Sequence, residues 1–174
     1  MTADYQPLPK LTAVLDCSEF DSGADELDEW LRRRALRGQE HGNATTFVVA
    51  HDGRVYGYYA LAAGGIERDE APRVVRRNAP QPIPVLLLAR LAVDRRAQGR
   101  GIGRRLIQDA LIRALQVSEH VGFRALIVHS RDEAAREFYV HHVPAFIPSP
   151  TEELHLMLPL PQIRRLLFGS AETR

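Results

Sequence analysis

A nine-residue run that is apolar except for Arg90 leads into a glycine-rich turn, and no other feature limits the fold so strongly. The run is Val85–Val93, and the turn Gln98–Gly103 has a glycine at every second position. An amphipathic pattern begins within the turn, so a strand, a tight turn and a helix are predicted in that order. Alternating glycines let backbone N–H groups converge on an anion, and a helix N-terminus adds positive partial charge. The segment therefore predicts a pyrophosphate site.

The glycine spacing excludes the two most familiar nucleotide-binding loops. A dinucleotide-binding turn has glycines at other offsets with an acidic residue about 20 positions later, and a P-loop ends in Gly-Lys followed by Ser or Thr. The alternative is that these glycines only form a tight strand-to-helix turn. Positive charge around the turn favours the anion site, and it comes from Arg96, Arg100, Arg104 and Arg105.

This turn resembles the acetyl-coenzyme A loop of the GNAT superfamily of N-acetyltransferases. The resemblance is carried by Gln98-x-x-Gly101-x-Gly103 after a strand that ends in Leu91-Ala92-Val93. It implies an enzyme with acetyl-CoA as the acetyl donor, a GNAT fold and no metal. The residues that it implies at the donor are Leu91, Ala92, Val93, Gln98, Gly99, Arg100, Gly101, Ile102, Gly103 and Arg104.

A second stretch resembles the Ala-Arg-x-Phe-Tyr helix of the same superfamily. It is Asp132–Tyr139, which follows the predicted strand 125–129. In that family the tyrosine often protonates the departing thiolate, so the resemblance implies that Tyr139 is the catalytic acid. A phenol with a reference pKa of about 10 is protonated at neutral pH and can donate to a developing thiolate. The alternative is a buried tyrosine whose hydroxyl is bonded to the backbone.

The glutamate that often serves as base on or beside the superfamily's central strand has no counterpart here. The strand 85–93 contains no acid, and period-two alternation places Arg90 on the face of Leu88 and Ala92. Because a buried unpaired arginine is unfavourable, Arg90 is expected to pair with an acid or to meet an anionic ligand. An α-amine, with a reference pKa of about 8, needs a base less than lysine at about 10.4 does, so an α-amine acceptor is favoured.

A narrower resemblance extends from about residue 12 to residue 160. It is to the GNAT toxins of bacterial type II toxin-antitoxin modules, and it is carried by Leu27–Leu31, Gly57–Leu61, Pro82–Pro84, Arg90–Asp94 and Leu156–Leu160. Those toxins acetylate the α-amine of aminoacyl-tRNA, block translation and are neutralised by a ribbon-helix-helix antitoxin. The resemblance implies both partners, with Arg77, Arg90 and Arg96 expected to hold tRNA phosphates.

Charge is unevenly distributed although the formal net charge is only +1. Residues 1–30 hold eight acidic side chains against Lys10, whereas residues 73–105 hold nine arginines against Asp94. The guanidinium fork suits bidentate contact with phosphate, so the basic segment is consistent with an RNA partner. An acidic N-terminal segment that meets the basic segment of a second subunit would form a homodimer.

The elements predict an α/β chain with a mixed sheet covered by helices on both faces, as one domain over residues 1–174. Asp52-Gly53 predicts a hairpin, and residues 64–84, with two glycines and four prolines, predict a loop or broken helix. The predicted strands are 11–15, 46–50, 55–63, 85–93, 125–129 and 154–158. The predicted helices are 25–40, 101–117, 132–141 and one after Pro159.

Other patterns argue against metal, thiol and membrane functions. His141 and His142 point about 100° apart on a helix with no other ligand at a suitable spacing. His129 is expected to pack at a strand end, or else to contact substrate or relay a proton. The single cysteine, Cys17, excludes an internal disulfide and lies far from the glycine turn. No apolar run reaches 18 residues and no export signal begins the chain, so a cytoplasmic protein without a membrane segment is expected.

Three functions remain open from the sequence. They are a toxin that acetylates aminoacyl-tRNA, an acetyltransferase of a small-molecule amine or protein N-terminus, and a non-catalytic GNAT fold that binds coenzyme A or a protein. Tyr139 and the intact glycine turn argue against the third. The usual Gly-Phe turn after the tyrosine helix is replaced by Val143–Phe146, so a different acceptor pocket is expected.

Overall fold

The computed structural model describes residues 5–169, which form an α/β arrangement. The helices are α1 (Asp25–Arg33), α2 (Ala35–Glu40), α3 (Arg73–Arg76), α4 (Ile102–Ser118), α5 (Glu133–His142) and α6 (Leu160–Phe168). The strands are β1 (Thr45–His51), β2 (Arg54–Ile66), β3 (Ile83–Val93), β4 (Ala125–His129), β5 (Ile147–Pro148) and β6 (His155–Pro159). Within the described residues the strands form one mixed sheet in the order β1-β2-β3-β4-β6-β5, which confirms the predicted class.

The described chain divides into two compact units. The first unit comprises residues 6–62 and 88–110, and the second comprises residues 63–87 and 111–169 together with residue 5. Strands β2 and β3 and helix α4 each pass from one unit into the other along the chain.

The first unit is built on the predicted hairpin of β1 and β2. Asp52 and Gly53 have φ of 49° and 75°, the left-handed conformation that a two-residue hairpin turn requires. Helices α1 and α2 cover a buried apolar cluster. Its members are Leu11, Phe20, Leu31, Ala35, Val48, Val55, Tyr58 and Ala92.

Two predictions for the first unit were wrong in detail. The single helix over 25–40 is interrupted at Arg34, whose φ of −122° leaves the helical range while the apolar periodicity continues across it. The strand over 11–15 is absent because residues 12–15 turn away from β1, with the Leu15 N–H donating to the Thr12 carbonyl at 3.2 Å. The Gln39 side chain connects the Leu11 segment to β1. It donates to the Leu11 carbonyl and accepts from the Thr46 N–H.

The second unit is centred on an antiparallel pair of β4 and β6, whose register runs from Ala125 opposite Pro159 to His129 opposite His155. The two-residue strand β5, which the sequence did not predict, joins the other edge of β6. The proline-rich segment 64–84 contains the four-residue helix α3, which agrees with the predicted loop or broken helix. Buried residues around this pair are Ile66, Ala71, Val75, Ile83, Val85, Ala125, Ile127 and Met157.

None of the helices in the described part of the chain has both the length and the apolar character needed to cross a membrane.

Candidate functional site

The turn after β3 is organised by a buried carboxylate, that of Asp94, which the sequence analysis did not assign a role. Its side chain is fully buried and accepts backbone N–H bonds from Asp21 at 3.1 Å and Arg96 at 2.9 Å. The Asp94 N–H in turn donates to the Tyr56 carbonyl at 2.8 Å. These bonds fix the end of β3 and the short helical turn Arg95–Ala97 that precedes the glycines.

Arg96 supplies the charge that balances Asp94. Its Nε and Nη2 donate to the two Asp94 carboxylate oxygens at 2.9 Å each, a bidentate pair, and its guanidinium lies 5.4 Å from the centre of the Tyr56 ring. The hydrogen bond from the Arg96 side chain lowers the pKa of Asp94 to about 2. Glu19 also accepts from this guanidinium through its carbonyl, at 3.3 Å. The structure therefore places Arg96 inside the protein's own hydrogen-bond network.

Gln98 closes the turn through its side-chain amide. Nε2 donates to the Val93 carbonyl at 3.0 Å and to the Ser22 carbonyl at 3.3 Å. The side chain thus ties the last residue of β3 and the segment before α1 to the start of the glycine turn. These two hydrogen bonds to backbone carbonyls explain why a glutamine occupies position 98.

The glycines of the turn leave their surroundings open. Gly99 and Gly101 have φ of 78° and 80°, which L side chains rarely adopt, and a Cβ atom on either would meet nothing within 4 Å. The backbone conformation therefore explains these glycines, whereas crowding does not. The space beside their Cα atoms is open.

Helix α4 begins at Ile102, within the glycine turn, and carries no acidic residue in its first helical turn. Arg100, Arg104 and Arg105 are all exposed there. Cations at a helix N-terminus oppose the macrodipole and are unfavourable unless an anion lies between them. Backbone donors, open glycines and unopposed positive charge together fit a pyrophosphate group.

Close packing of β2 against the first residue of α4 depends on Gly57. A Cβ atom there would lie 2.7 Å from Ile102 Cγ2 and 3.3 Å from Leu106 Cδ1. Because Ile102 is part of the glycine turn, this contact also sets where the turn lies.

Substituting Gly57→Ala is expected to lower the free energy of unfolding by about 1–3 kcal/mol, since Ile102 must move to admit the methyl group. Chemical denaturation measures this effect, and Gly122→Ala is the matched control because a Cβ atom at Gly122 meets nothing within 4 Å. Equal stability of Gly57→Ala and the wild type would contradict the role of this contact.

Arg90 lies in β3 without an acidic partner among the described residues. Its guanidinium instead stacks on the Trp30 ring, 4.5 Å from the centroid, and Trp30 stacks on Tyr58. Of the two alternatives for Arg90, pairing with an acid is not found in the described part of the chain, and the ring face supplies part of the stabilisation that a carboxylate would give. A contact between Arg90 and an anionic ligand stays a prediction.

Tyr139 is buried in the second unit on α5, and the Asp132 side chain caps this helix by accepting from the Ala135 N–H at 2.9 Å. Its ring packs edge-on against Phe138 and Phe146. Burial raises its pKa well above the usual value near 10, with no hydrogen bond or charge contributing. No hydrogen bond from this hydroxyl to the backbone is found in the described chain. The raised pKa keeps the phenol protonated at neutral pH.

Arg77 follows α3 in the second unit and is exposed, with its carbonyl accepting from Arg124 Nη2 at 2.7 Å. Tyr139 belongs to the same unit, whereas the glycine turn, Arg90 and Arg96 belong to the first. Among the predicted site residues, those of the glycine turn lie together in the first unit, where the hydrogen bonds of Asp94 and Gln98 hold the turn in place.

Two other sequence candidates are accounted for by packing. His129 stacks on His155 with ring centres 3.9 Å apart, and burial together with that neighbour lowers its pKa. Burial raises the pKa of the Cys17 thiol to about 11, so it is not an activated nucleophile. No group of three or more potential metal ligands lies together within residues 5–169.

Comparisons with known proteins point to one family. Residues 42–142 match the family described as "Acetyltransferase (GNAT) domain". A tRNA-acetylating toxin of Mycobacterium tuberculosis is 49% identical over 163 residues, which cover 94% of this chain and 97% of the toxin.

Solved structures of the same kind superpose on nearly the whole chain. AtaT complexed with acetyl-methionyl-tRNAfMet matches with a TM-score of 0.82 at 29% identity, over 92% of this chain and 98% of that one. A tyrosine-to-phenylalanine mutant of the AtaT toxin, bound to the C-terminus of the antitoxin AtaR and acetyl-CoA, matches with a TM-score of 0.79 at 29% identity. This match covers 92% of this chain and 97% of that one.

Proposed function

Because this chain belongs to the GNAT acetyltransferase family, we propose that it transfers the acetyl group of acetyl-CoA to the α-amine of aminoacyl-tRNA and so blocks translation. The observation that carries the proposal is 49% identity, over 94% of the chain, to a tRNA-acetylating toxin. Identity at this level over nearly the full length of both chains supports a shared acceptor as well as a shared fold.

The acetyl donor is proposed to bind at the glycine turn of the first unit. Backbone N–H groups of Gln98–Gly103 hold its pyrophosphate, with the charges of Arg100 and Arg104 beside them. Leu91–Val93 is proposed to contact the donor through its backbone, because the Ala92 side chain is buried in the apolar cluster of the first unit and does not face a ligand. Hydrogen bonds made by the Asp94 and Gln98 side chains hold the backbone of this turn in place.

Tyr139 is proposed to be the general acid. Acetyl-CoA supplies an acetyl group activated as a thioester. The neutral α-amine attacks the carbonyl carbon, the carbon–sulfur bond breaks, and the Tyr139 hydroxyl gives its proton to the leaving thiolate. A reference pKa of about 8 leaves a useful fraction of the α-amine neutral before it attacks, without a dedicated base. After the attack the nitrogen releases one proton to water, and a proton from water restores the Tyr139 hydroxyl, so the products are N-acetylaminoacyl-tRNA and coenzyme A.

The proposed partners follow from the toxins that the chain resembles. They are aminoacyl-tRNA, a ribbon-helix-helix antitoxin and a second copy of the chain in a homodimer, all in the cytoplasm. The two units are proposed to act together as one GNAT domain. A monomeric mass at micromolar concentration would remove the dimer from this set.

Cell-free translation tests the proposed outcome of the reaction. Purified protein with acetyl-CoA is expected to stop synthesis, and protein with coenzyme A alone is expected to leave it running. Continued synthesis in the presence of acetyl-CoA would contradict a toxin role. An acetyltransferase of small-molecule amines or protein N-termini would give that result.

A further inference from the structure

The Arg90 side chain is half-buried in the first unit, and the protein leaves its hydrogen-bond donors unused. Within residues 5–169 no carboxylate or carbonyl accepts from its guanidinium, whose central carbon lies 4.5 Å from the centre of the Trp30 ring. The N–H donors of a guanidinium point outward in one plane, and the group stays positively charged across the physiological pH range. A contact with a ring face uses none of these donors, so they are available to a ligand.

Trp30 gives this guanidinium a fixed surface. Its ring stacks on Tyr58, with centroids 5.9 Å apart and planes 17° from parallel, and Phe20 packs edge-on against Tyr58 at 5.6 Å. The Tyr58 hydroxyl donates to the Leu27 carbonyl at 2.7 Å, which joins the stack to the backbone of α1. Because Phe20 and Tyr58 are buried, the indole rests on the core of the unit. An arginine held on such a surface loses less conformational freedom when it binds a ligand.

The position of Arg90 in β3 also places it close to the proposed reaction centre. It directly precedes Leu91–Val93, whose backbone is proposed to contact the donor, and consecutive Cα atoms are about 3.8 Å apart. The thioester and the attacking amine have to meet beside that backbone. In an aminoacyl ester the α-nitrogen and the carbonyl oxygen are carried by adjacent carbon atoms. A group that donates to this oxygen therefore lies next to the attacking amine.

We propose that Trp30 is a positioning residue, which holds the Arg90 guanidinium against the ester carbonyl of aminoacyl-tRNA; this inference rests on the proposed function. The guanidinium donates to the carbonyl oxygen and places a positive charge beside the α-amine. A neighbouring cation disfavours the ammonium form and lowers the pKa of the bound amine. The neutral, nucleophilic fraction of the amine is thereby increased at neutral pH. Arg90 thus compensates for the acidic base that β3 lacks.

The carboxylates around the stack do not cancel the charge of Arg90. On α1, Glu29 pairs with Arg33 at 3.5 Å, and the buried Asp28 accepts from the Ser22 N–H at 3.0 Å. The other ionisable side chains on α1, on the part of β2 in this unit and directly after β3 are Asp25, Glu26, Arg32, Arg54, Tyr56, Tyr58, Tyr59 and Asp94. None of these acidic groups pairs with the Arg90 guanidinium in the described chain, so its charge is available to a substrate.

The pH dependence of the reaction separates a positioning role from a structural one. Trp30→Leu removes the ring face, Trp30→Phe restores one, and Arg90→Gln removes the charge. Phe20→Leu is the matched control, because Phe20 belongs to the same aromatic cluster and packs on Tyr58 but not on the guanidinium. The single-turnover rate at saturating charged tRNA is followed by rapid quench from pH 6 to pH 9, together with acetyl-CoA binding and thermal unfolding.

In Trp30→Leu and Arg90→Gln the pH at which the rate is half-maximal is expected to rise by about 0.5–1 unit, toward the reference value of about 8 for a free α-amine. The rate at pH 7 is therefore expected to fall about three- to fivefold, and the rate at pH 9 to stay within about twofold of the wild type. Trp30→Phe is expected to recover most of this change. The double variant Trp30→Leu/Arg90→Gln is expected to differ no more than Arg90→Gln alone.

Phe20→Leu is expected to lower the unfolding temperature without moving the pH midpoint, and acetyl-CoA binding to be unchanged in every variant. An unshifted midpoint in Trp30→Leu would overturn the proposal even if that variant bound charged tRNA more weakly, because a phosphate contact or a role in the fold alone gives that result. Should Trp30→Leu fail to fold, an unshifted midpoint in Arg90→Gln overturns it instead.

An equal shift in Phe20→Leu would also overturn the proposal, because it would show a general loosening of the aromatic cluster. Wild-type protein that acetylates charged tRNA alongside unshifted variants preserves the proposed function. Wild-type protein that acetylates none removes the proposed function itself.

Discussion

Replacing Tyr139 with phenylalanine is expected to lower kcat for acetyl transfer by about 10²- to 10⁴-fold while acetyl-CoA still binds. The phenol is buried, and its pKa is raised by burial with no other contribution. No hydrogen bond to its hydroxyl is found in the described part of the chain, so the substitution is expected to leave the fold intact and the thiolate without a proton donor. Single-turnover acetylation of charged tRNA measures the effect.

Tyr58→Phe provides the matched control, because Tyr58 is also buried and its hydroxyl donates to the Leu27 carbonyl at 2.7 Å. It is expected to lose stability, by about 1 kcal/mol, and to keep kcat. Retention of the wild-type kcat by Tyr139→Phe would exclude the phenol as the acid.

The raised pKa of Tyr139 also fixes the shape of the pH profile. Because the acid form is the active form and burial moves its titration upward, the phenol stays protonated throughout pH 6–10. The wild-type rate is expected to rise as the amine loses its proton near pH 8 and then to remain level up to pH 10.

Replacing Asp94 with alanine is expected to cost about 3 kcal/mol of folding free energy and most of the affinity for acetyl-CoA. The change leaves the N–H groups of Asp21 and Arg96 without their acceptor and the Arg96 guanidinium without its bidentate partner. The glycine turn begins four residues later, so its backbone donors lose their alignment. Denaturation and calorimetric titration with acetyl-CoA measure the two losses.

Asp16→Ala is the control, since Asp16 is a partly exposed carboxylate of the same unit, bonded to Ser18 and Arg54. It is expected to change stability by less than about 1 kcal/mol. A small loss in Asp94→Ala, similar to that of the control, would contradict the central role of the buried carboxylate.

Acid unfolding gives an independent check on Asp94. Its folded-state pKa of about 2 lies below the reference value of about 3.9, so the carboxylate stabilises the fold fully above about pH 4. That contribution is lost as pH falls through the folded-state pKa. The stability difference between the wild type and Asp94→Asn is therefore expected to shrink between pH 4 and pH 2.

Local chemistry made several features predictable from the sequence. Asp52-Gly53 specified the hairpin because its residues tolerate positive φ, and the apolar run before the glycines specified the central strand and the turn. Pro144 and the residues around it did not reveal β5, since a two-residue strand has no periodicity of its own. The break at Arg34 was hidden for a related reason: apolar spacing continues across it.

Long-range pairing was not predictable in the same way. Asp94 and Arg96 are two residues apart, yet their roles depend on the Asp21 N–H, 73 residues away from Asp94. Arg90 was expected to pair with an acid or to meet an anionic ligand because the sequence shows only its charge, whereas the stacking face of Trp30 becomes apparent only after folding. A carboxylate directly after a buried strand, followed by arginine at the second position, is the signal that would have identified this pair.

Transfer of labelled acetyl from acetyl-CoA to a pool of charged tRNA tests the central claim most directly. The account predicts label in the RNA fraction, its release when the tRNA is deacylated, and no label in tRNA that was deacylated beforehand. Absence of label from charged tRNA, by protein that still binds acetyl-CoA, would contradict aminoacyl-tRNA as the acceptor.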